Sequence, residues 1–242
     1  MNLLSLIREI KWKYIFRGSY CRVCRGGTFI VGKNVSISKS RIYVYPGSIF
    51  VIDDNTKIDK CIISVDKGEC TFGHHSIIGS PKVKNVINIE NGILSIGSYS
   101  YINTHRLWIR FGGKCVIGNY NNINSGSVIR CDSLITVGDY NQISYNVYIW
   151  DTNTHCILKK EERRAITEEH FPYFGFEKEK PVTAPVKIGD DCWIGQNATI
   201  LKGSIIHDEV IVGYGCFIAG RTIPAKSTVV NDIQLKAWQR ND

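Results

Sequence analysis

Aliphatic residues recur every six positions in the C-terminal part of the chain. The evenly spaced positions are Ile188, Ile194, Ile200, Ile206, Val212 and Ile218. The fifth position of each six-residue unit is small or compact: Cys192, Ala198, Ser204, Val210, Cys216 and Thr222. A period of six matches neither an α-helix nor one long strand, so it predicts short strands that alternate with turns of constant length. Stacked units of this kind bury a continuous aliphatic core.

The same period runs earlier in the chain, with slips. Ile117, Ile123, Ile129 and Ile135 keep the spacing, and two extra residues then reset it to Val137, Ile143 and Ile149. Shorter matches lie at 31–37, 52–58, 72–78 and 96–102, while 80–93 is irregular. We therefore predict one repetitive domain over residues 28–233.

The repeat stops over residues 156–187. This segment is rich in charges, contains three prolines and carries the aromatic residues Phe171, Tyr173, Phe174 and Phe176. Long loops in compact repeat proteins are usually functional, so we predict an extruded loop that closes over a substrate. A purely solvated excursion is the alternative.

The two ends are predicted to be appendages. Residues 1–27 form an N-terminal segment in which Leu3, Leu6, Ile7, Ile10 and Tyr14 share one face of a short helix. This helix would cap the first coil, whose open edge could otherwise pair with another chain. Its basic polar face suggests contact with a membrane surface as the alternative. Residues 234–242 are a C-terminal tail.

The composition supports a β-rich protein with tight turns. The chain has 36 Ile, 18 Val and 22 Gly but 9 Leu and 1 Met. No apolar run approaches the roughly 20 residues of a membrane-spanning helix. The net charge of +8 favours an anionic partner, but no nucleic-acid-binding motif is present, and we expect no nucleic acid partner.

The cysteines indicate a reducing compartment. Their number, nine, is odd, and most lie in strand-like segments. The first residues lack the features of a secretory signal. We therefore expect free thiols and a cytoplasmic location, with the inner face of the cytoplasmic membrane as a further option through the basic N-terminal segment.

Two runs of sequence resemble the hexapeptide-repeat acyltransferases, in particular the sugar and polysaccharide O-acetyltransferases. One is Asp-Thr-Asn-Thr-His at 151–155, where the family has Asp-Thr-Asp-x-His, and the other is 180–206, which includes Trp193. The resemblance implies an all-β fold, a left-handed parallel β-helix with about 18 residues per coil. It also implies a homotrimer and acetyl-CoA as the acyl donor.

The resemblance assigns His155 as the catalytic base. We expect Asp151 to orient its ring, with a backbone carbonyl as the alternative. Asn153, Trp150 and Tyr173 are candidates for binding the acceptor. The resemblance places Trp193 near both the acceptor and the thioester.

The cofactor residues are expected on later coils. Candidates for contact with coenzyme A are Trp193, Gly195, Lys202, Ala219, Gly220, Arg221 and Lys226. The glycines and Ala219 would allow close approach of the backbone, and the cations would meet phosphates. Metal-dependent hexapeptide proteins of the carbonic anhydrase type use two histidines five residues apart, and no two histidines here have that spacing. We therefore predict no metal.

These features together predict an acetyl-CoA-dependent O-acetyltransferase. Its acceptor would be a sugar hydroxyl of a bacterial capsule, lipopolysaccharide or related surface glycan. One alternative is N-acetylation of an amino sugar on a nucleotide carrier. A non-catalytic β-helical scaffold is the other, although it would predict regular threonine ladders on a flat face, which the sequence lacks.

Overall fold

The polypeptide winds into a parallel β-helix. A computed structural model describes residues 16–173 and 177–232, and within them 28 strands form three parallel sheets and one helix stands apart. The predicted all-β architecture, a parallel β-helix with one extruded insertion, is confirmed. Successive strands pass from sheet A to sheet B to sheet C and back to A, so each coil has three sides.

The strands are short and each sheet runs the length of the helix. Sheet A contains β1 (Phe16–Arg17), β4 (Ser36–Ser38), β7 (Lys57–Asp59), β10 (Ile77–Gly79), β13 (Tyr101–Ile102), β16 (Asn122–Ile123), β19 (Gln142–Ile143), β22 (Trp193–Ile194), β25 (Ile211–Val212) and β28 (Thr228–Val229). Sheet B contains β2 (Tyr20–Val23), β5 (Arg41–Val44), β8 (Cys61–Asp66), β11 (Asn85–Glu90), β14 (Arg106–Ile109), β17 (Val128–Cys131), β20 (Tyr148–Trp150), β23 (Thr199–Leu201) and β26 (Phe217–Ala219). Sheet C contains β3 (Thr28–Val31), β6 (Ile49–Ile52), β9 (Glu69–Phe72), β12 (Ile93–Ile96), β15 (Lys114–Ile117), β18 (Leu134–Val137), β21 (Val186–Ile188), β24 (Ile205–Ile206) and β27 (Thr222–Ile223).

The core consists of aliphatic columns that run along the axis. In sheet A, the inward residues that stack on one another before the insertion are Ile37, Ile58, Ile78, Ile102, Ile123 and Ile143. Each is at most 1% exposed. Each strand alternates inward and outward side chains, which places one apolar set inside and leaves the other on the surface.

The coils before the insertion are longer than predicted. Most strands of sheets B and C there have at least four residues and place two side chains inside, as Ile129 and Cys131 do in β17 and Ile135 and Val137 do in β18. The additional inward residue lengthens each of these strands by two positions, which explains the two-residue slips in the six-residue period. The expected coil of about 18 residues is therefore correct for the coils that follow the insertion and wrong for those before it, where partners lie mostly 20 or 21 residues apart.

At the corner where sheet C turns into sheet A, which we call the C–A corner, acidic side chains join the coils. Asp139 Oδ1 accepts the Asn119 N–H at 2.6 Å, and Asp190 Oδ1 accepts the Asp139 N–H at 2.7 Å. Asp208 Oδ1 continues the series with the Asp190 N–H at 2.9 Å. A Cβ on Gly118 would lie 2.6 Å from the carbonyl oxygen of Gly138, so close stacking here requires glycine.

The insertion leaves the β-helix at the corner between sheets B and C, the B–C corner. Asn153 donates its N–H to the Val182 carbonyl, and Ala184 donates to the Asp151 carbonyl, both at 3.0 Å. The two ends of the insertion are thus joined by antiparallel pairing. Between them lies α1 (Lys160–His170), an 11-residue helix with no buried residue, where the sequence predicted only a loop.

Coil structure is already present before residue 28. Among the described residues, strands β1 and β2 pair with β4 and β5 from Phe16 onward. The predicted helix over residues 3–16 falls almost wholly on residues 1–15, and the predicted tail over 234–242 falls within 233–242; both stretches lie outside the described residues.

The structure adds one finding on membrane-spanning helices and one on the cysteines. Within residues 16–173 and 177–232, no helix is long and apolar enough to cross a membrane. The nine cysteines are free thiols, as expected. Six of them are buried in the core: Cys61, Cys70, Cys115, Cys131, Cys192 and Cys216.

Removing a core side chain should destabilise the protein far more than removing an exposed one. Ile129 is fully buried in its column, so we expect Ile129→Ala to lower the free energy of unfolding by about 2–5 kcal/mol. Ile157 is 92% exposed, and Ile157→Ala should change the same quantity by less than about 0.5 kcal/mol. Urea denaturation followed by circular dichroism measures both. Similar losses in the two variants would contradict the described core.

Candidate active site

His155 lies on the turn that follows β20, where the chain leaves the β-helix. Thr152 Oγ1 accepts the N–H of Thr154 at 3.0 Å, and Thr154 adopts a left-handed backbone conformation with φ of 69°. This tight turn holds the side chain of His155 outside the packed interior. The ring is half-exposed and available to a ligand.

Glu177, from the far end of the insertion, holds the ring of His155. Its Oε1 lies 2.6 Å from His155 Nδ1, and its Oε2 accepts the Cys156 N–H at 3.0 Å. Arg163 of α1 donates from Nη2 to Glu177 Oε1 at 3.3 Å and to the Cys156 carbonyl at 3.0 Å. The Glu177 side chain is 2% exposed. Burial alone would raise the pKa of Glu177, but these donors outweigh it and hold the pKa below its usual value.

The contact with Glu177 fixes the tautomer of His155. An ionised carboxylate only accepts hydrogen bonds, so Nδ1 must carry the proton that it shares with Glu177. In a neutral ring the lone pair then lies on Nε2, the nitrogen away from Glu177. The arrangement therefore presents Nε2 as a proton acceptor at the edge of the insertion.

Asp151, which the sequence analysis paired with His155, has another role. Its carboxylate is fully buried and accepts the N–H groups of Asp132, Ser133 and Leu134 at 2.8, 2.7 and 2.6 Å. It therefore closes the turn between β17 and β18 in the preceding coil. The expected pairing with His155 was wrong because these three buried N–H groups occupy the carboxylate, and Glu177 takes the place beside the ring.

A buried ion pair supports the turn that carries His155. Arg110 donates from Nε and Nη2 to the two carboxylate oxygens of Asp132 at 3.0 and 2.8 Å, and Arg110 is 6% exposed. The same Nη2 and the Nη2 of Arg130 each lie 3.4 Å from the carbonyl oxygen of Thr154. Two guanidinium groups thus hold the backbone immediately before His155.

A groove adjoins this site on the side of the preceding coils. Its cavity has a volume of about 420 Å³. Its lining residues are Asp66, Lys67, Glu90, Asn91, Trp108, Arg110, Phe111 and Glu177. Two aromatic rings and several polar groups in one concave surface are typical of a site for a polar ring-shaped ligand. Glu177 connects the groove to His155.

Several predicted site residues lie near one another along the same edge of sheet B. Trp150 pairs with Leu201, and Leu201 pairs with Ala219 on the next strand. Lys202, Gly220 and Arg221 follow these strands, so they occupy the B–C corner on the coils after His155. Asn153 is two residues before His155 and ties the insertion to the β-helix through its backbone.

Other predicted residues lie elsewhere on the same chain. Trp193 projects from sheet A and is 58% exposed, and sheet A is the side of the prism opposite the B–C corner. Lys226 lies on the C–A corner, with its Nζ 3.6 Å from Glu209. Tyr173 is 76% exposed in the insertion.

Gly195 and two of the loop aromatics are the remaining predicted residues. A Cβ on Gly195 would lie 2.6 Å from the Val212 carbonyl oxygen, so coil stacking explains this glycine without a cofactor. The loop residues Phe174 and Phe176 fall within 174–176, outside the described residues. Among residues 16–173 and 177–232, no cluster of three metal-binding side chains occurs.

The sequence analysis missed Glu177, Arg110, Asp132 and Trp108. Glu177 belongs to the run Glu-Lys-Glu-Lys at 177–180, in which nothing separates one charge from another. A signal did exist for Trp108 and Arg110. Arg106, Trp108 and Arg110 alternate with aliphatic residues and so share the outward side of one strand, where a tryptophan among arginines indicates a binding surface.

Comparisons with known proteins agree with this architecture. The family model described as "Bacterial transferase hexapeptide (six repeats)" matches residues 185–220. The "Putative lipopolysaccharide biosynthesis O-acetyl transferase WbbJ" of Escherichia coli (strain K12) is 25% identical over 138 residues, 53% of this chain and 67% of that protein. The resemblance to hexapeptide-repeat acyltransferases is confirmed. The hexapeptide match falls on the coils after the insertion, where the six-residue period is unbroken.

Two further proteins are similar over other shares of their length. The "Probable acetyltransferase Rv3034c" of Mycobacterium tuberculosis (strain ATCC 25618 / H37Rv) is 25% identical over 150 residues, 60% of this chain and 43% of that protein. The chain thus spans less than half of the length of this relative. The crystal structure of the polySia specific acetyltransferase NeuO superposes with a TM-score of 0.49 at 17% identity, covering 94% of this chain and 90% of that one.

The insertion should open at acidic pH. The folded-state pKa of Glu177 is depressed, so its stabilising contribution is complete above the ordinary glutamate pKa of about 4.3 and is lost as the pH falls through the lower folded value. Hydrogen exchange of the Cys156 amide, which donates to Glu177, should therefore increase relative to the core amides below about pH 4.

Glu177→Gln removes the charge and should expose the same amide at neutral pH. Its exchange should then depend on pH no more than that of core amides such as Ile129. Glu179→Gln, two residues away on the same segment, is the matched control and should behave like the unaltered protein. Full protection of Cys156 in Glu177→Gln at neutral pH would contradict the role given to Glu177.

Proposed function

We propose that this chain is an acetyl-CoA-dependent O-acetyltransferase that acts on a sugar hydroxyl, with His155 as general base. The contact between His155 Nδ1 and Glu177 carries the proposal, because it leaves Nε2 as a proton acceptor and joins the ring to a groove that Glu177 lines. Glu177 is the positioning residue for the ring. The resemblance of 151–155 to the acetyltransferase motif supports the same assignment.

The reaction needs a base of this kind. A sugar hydroxyl is a weak nucleophile at neutral pH, so its proton must leave as the oxygen attacks the thioester carbonyl. His155 Nε2 takes that proton, and the positive ring is stabilised by the adjacent Glu177 carboxylate. The protonated ring then delivers the proton to the departing thiolate of coenzyme A. The acetyl ester of the sugar and the free thiol are the products.

The two substrates approach His155 from opposite directions along the axis. The groove that contains Trp108 and Phe111 lies on the preceding coils and takes the acceptor. Lys202, Gly220 and Arg221 occupy the same corner on the following coils and take the donor. A Cβ on Gly220 would meet nothing within 4 Å, so the surface beside this glycine is open to a ligand.

The complete site is shared between copies in a homotrimer. Trp193 lies on sheet A, the side opposite the corner that carries His155, so a single chain keeps the two apart. A neighbouring copy that packs its sheet A near this corner would supply its own Trp193 to His155. This arrangement reconciles the two halves of the sequence motif.

The acceptor that we propose belongs to a bacterial capsule, a lipopolysaccharide or a related surface glycan. The relative WbbJ is named for lipopolysaccharide biosynthesis, which supports this class. We place the reaction in the cytoplasm, with contact to the inner face of the cytoplasmic membrane through the basic N-terminal segment. The product distinguishes an ester from an amide, because mild alkali removes an O-acetyl group and leaves an N-acetyl group.

His155→Ala should abolish most of the turnover while it preserves the fold. Loss of a general base costs about 100- to 10,000-fold in rate. His207→Ala, at an exposed histidine on the C–A corner, is the matched control and should keep full activity. The measurement is release of coenzyme A in the presence of surface glycan, with circular dichroism to verify folding. Equal rates for the two variants would remove His155 from the mechanism.

Mixing two inactive variants should restore activity if the site is shared. Subunits that carry His155→Ala supply an intact Trp193, and subunits that carry Trp193→Ala supply an intact His155. Random assembly of a cyclic trimer from equal amounts should rebuild about a quarter of the sites. Light scattering of the unaltered protein should give a trimer. A monomer, or no recovery in co-expressed variants that each lack activity alone, would contradict the shared site.

A further inference from the structure

Three buried hydrogen-bond donors lie unsatisfied on the outer face of sheet B. They are Arg106 Nε, Arg130 Nε and Trp150 Nε1, and none has an acceptor within the part of the chain that the structure describes. Trp108, Arg130 and Trp150 are register partners on three adjacent strands, and Arg106 lies two residues before Trp108 on β14 with its guanidinium beside the Trp108 ring, so the donors form one cluster. Buried polar groups are normally paired, and each exception calls for a ligand or another cause.

Three arginines surround the Trp108 ring in this cluster, and two of them lack an ion pair among the described residues. The guanidinium groups of Arg106, Arg110 and Arg130 lie 4.4, 4.7 and 4.6 Å from the centre of the Trp108 ring. Arg110 is neutralised by Asp132. Neither Arg106 nor Arg130 forms an ion pair within residues 16–173 and 177–232.

The nearby carboxylates are already engaged. Glu90 accepts the Trp108 indole N–H at 3.0 Å, and Asp132 accepts both nitrogens of Arg110. Glu177 is occupied by His155, Cys156 and Arg163. Burial and the nearby charge of Arg110 lower the pKa of Arg130 to about 10, although the carboxylates of Asp132 and Glu177 act in the opposite direction. Both arginines are partly exposed, so an anionic group of a ligand can reach them.

We propose that Arg106 and Arg130 bind a carboxylate carried by the acceptor, so that the substrate is an acidic glycan. This inference rests on the proposed function and names its substrate class. Guanidinium groups are well suited to carboxylates because their N–H groups match the two oxygens. Trp108, whose ring contacts both arginines, also lines the groove beside Glu177. The acidic group is therefore held next to the sugar whose hydroxyl meets His155.

Anionic oxygens could also come from the phosphates of coenzyme A, and position favours the acceptor. Arg106 and Arg130 lie on β14 and β17, on the coils that precede His155 and on the same side as the groove. Lys202 and Arg221 lie on the coils that follow. Kinetic constants for the two substrates separate these sources.

The test compares an acidic glycan with its neutral counterpart. Surface polysaccharide from cells that lack this protein is used directly, and a second portion is first treated to reduce its carboxyl groups to alcohols. We expect the unaltered protein to acetylate and bind the native material and to lose at least about 10-fold in acceptor affinity on the reduced material, the scale of a lost hydrogen bond to a charged group. Equal use of both materials would overturn the proposal.

The variants Arg106→Gln and Arg130→Gln should raise the acceptor KM by about 10-fold or more for native glycan. Both variants should leave the KM for acetyl-CoA and the KM for reduced glycan nearly unchanged. The turnover number is compared only for Arg106→Gln, because Arg130 also holds the Thr154 carbonyl beside His155. Arg130→Lys keeps the charge and should recover part of the loss. Arg22→Gln, at an exposed position of the same outward column of sheet B, is the matched control and should have no effect. A rise in the acetyl-CoA KM instead would assign the arginines to the donor and reject the proposal.

Calorimetric binding of the native glycan separates this inference from the proposed reaction. Binding that depends on Arg106 and Arg130 without acetyl transfer would refute the acetyltransferase and keep the acidic ligand. If both glutamine variants bind the glycan and transfer acetyl groups as well as the unaltered protein does, the acetyltransferase is supported and the acidic-ligand proposal is rejected. If a glutamine variant fails to fold, the comparison of native and reduced glycan with the unaltered protein still decides the matter.

Discussion

The backbone of every coil is hydrogen-bonded to the coil before it and the coil after it, and this mutual pairing governs the rest of the structure. Because strands in a parallel ladder keep their register, a residue at one position lies directly over its equivalent in the neighbouring coil. Isoleucine therefore stacks on isoleucine inside. On the outside the same register places Trp108, Arg130 and Trp150 in one row. The ladder also passes across the insertion, since Ile135 pairs directly with Val186.

The sequence predicts the parts of the structure that repeat from coil to coil, and it does not predict the insertion, which has no repeat. The isoleucine period was enough to predict the architecture, whereas the motif at 151–155 made His155 a candidate and the catalytic role stays a prediction. The predicted length of the earlier coils was too short. Strands such as β17 place two residues inward, Ile129 and Cys131, and the second of them adds positions that a six-residue period does not contain. Glu177 could not be found in this way. Its position relative to His155 depends on the path of the insertion, and no periodic pattern in the sequence describes that path.

The candidate site is built from a rigid part and an added part. The β-helix supplies Arg110 and Asp132, whose buried ion pair fixes the backbone of Thr154. The insertion supplies Glu177, which sets the protonation of the ring. Because this carboxylate comes from the insertion, the orientation of the His155 ring depends on how the insertion folds. Asp151, by contrast, is committed to the turn of the preceding coil and can stabilise the site only indirectly.

The series of acidic side chains at the C–A corner allows the β-helix to gain or lose coils during evolution. Each carboxylate, as in Asp139, Asp190 and Asp208, accepts an N–H from the coil before it, and each coil presents the same N–H to the coil after it. The joint between any two of these coils is thus interchangeable. A whole coil could be duplicated or lost by a single genetic event with both new neighbours still satisfied, so the distance from the first coil to the turn that carries His155 can evolve in whole-coil steps without altering that turn.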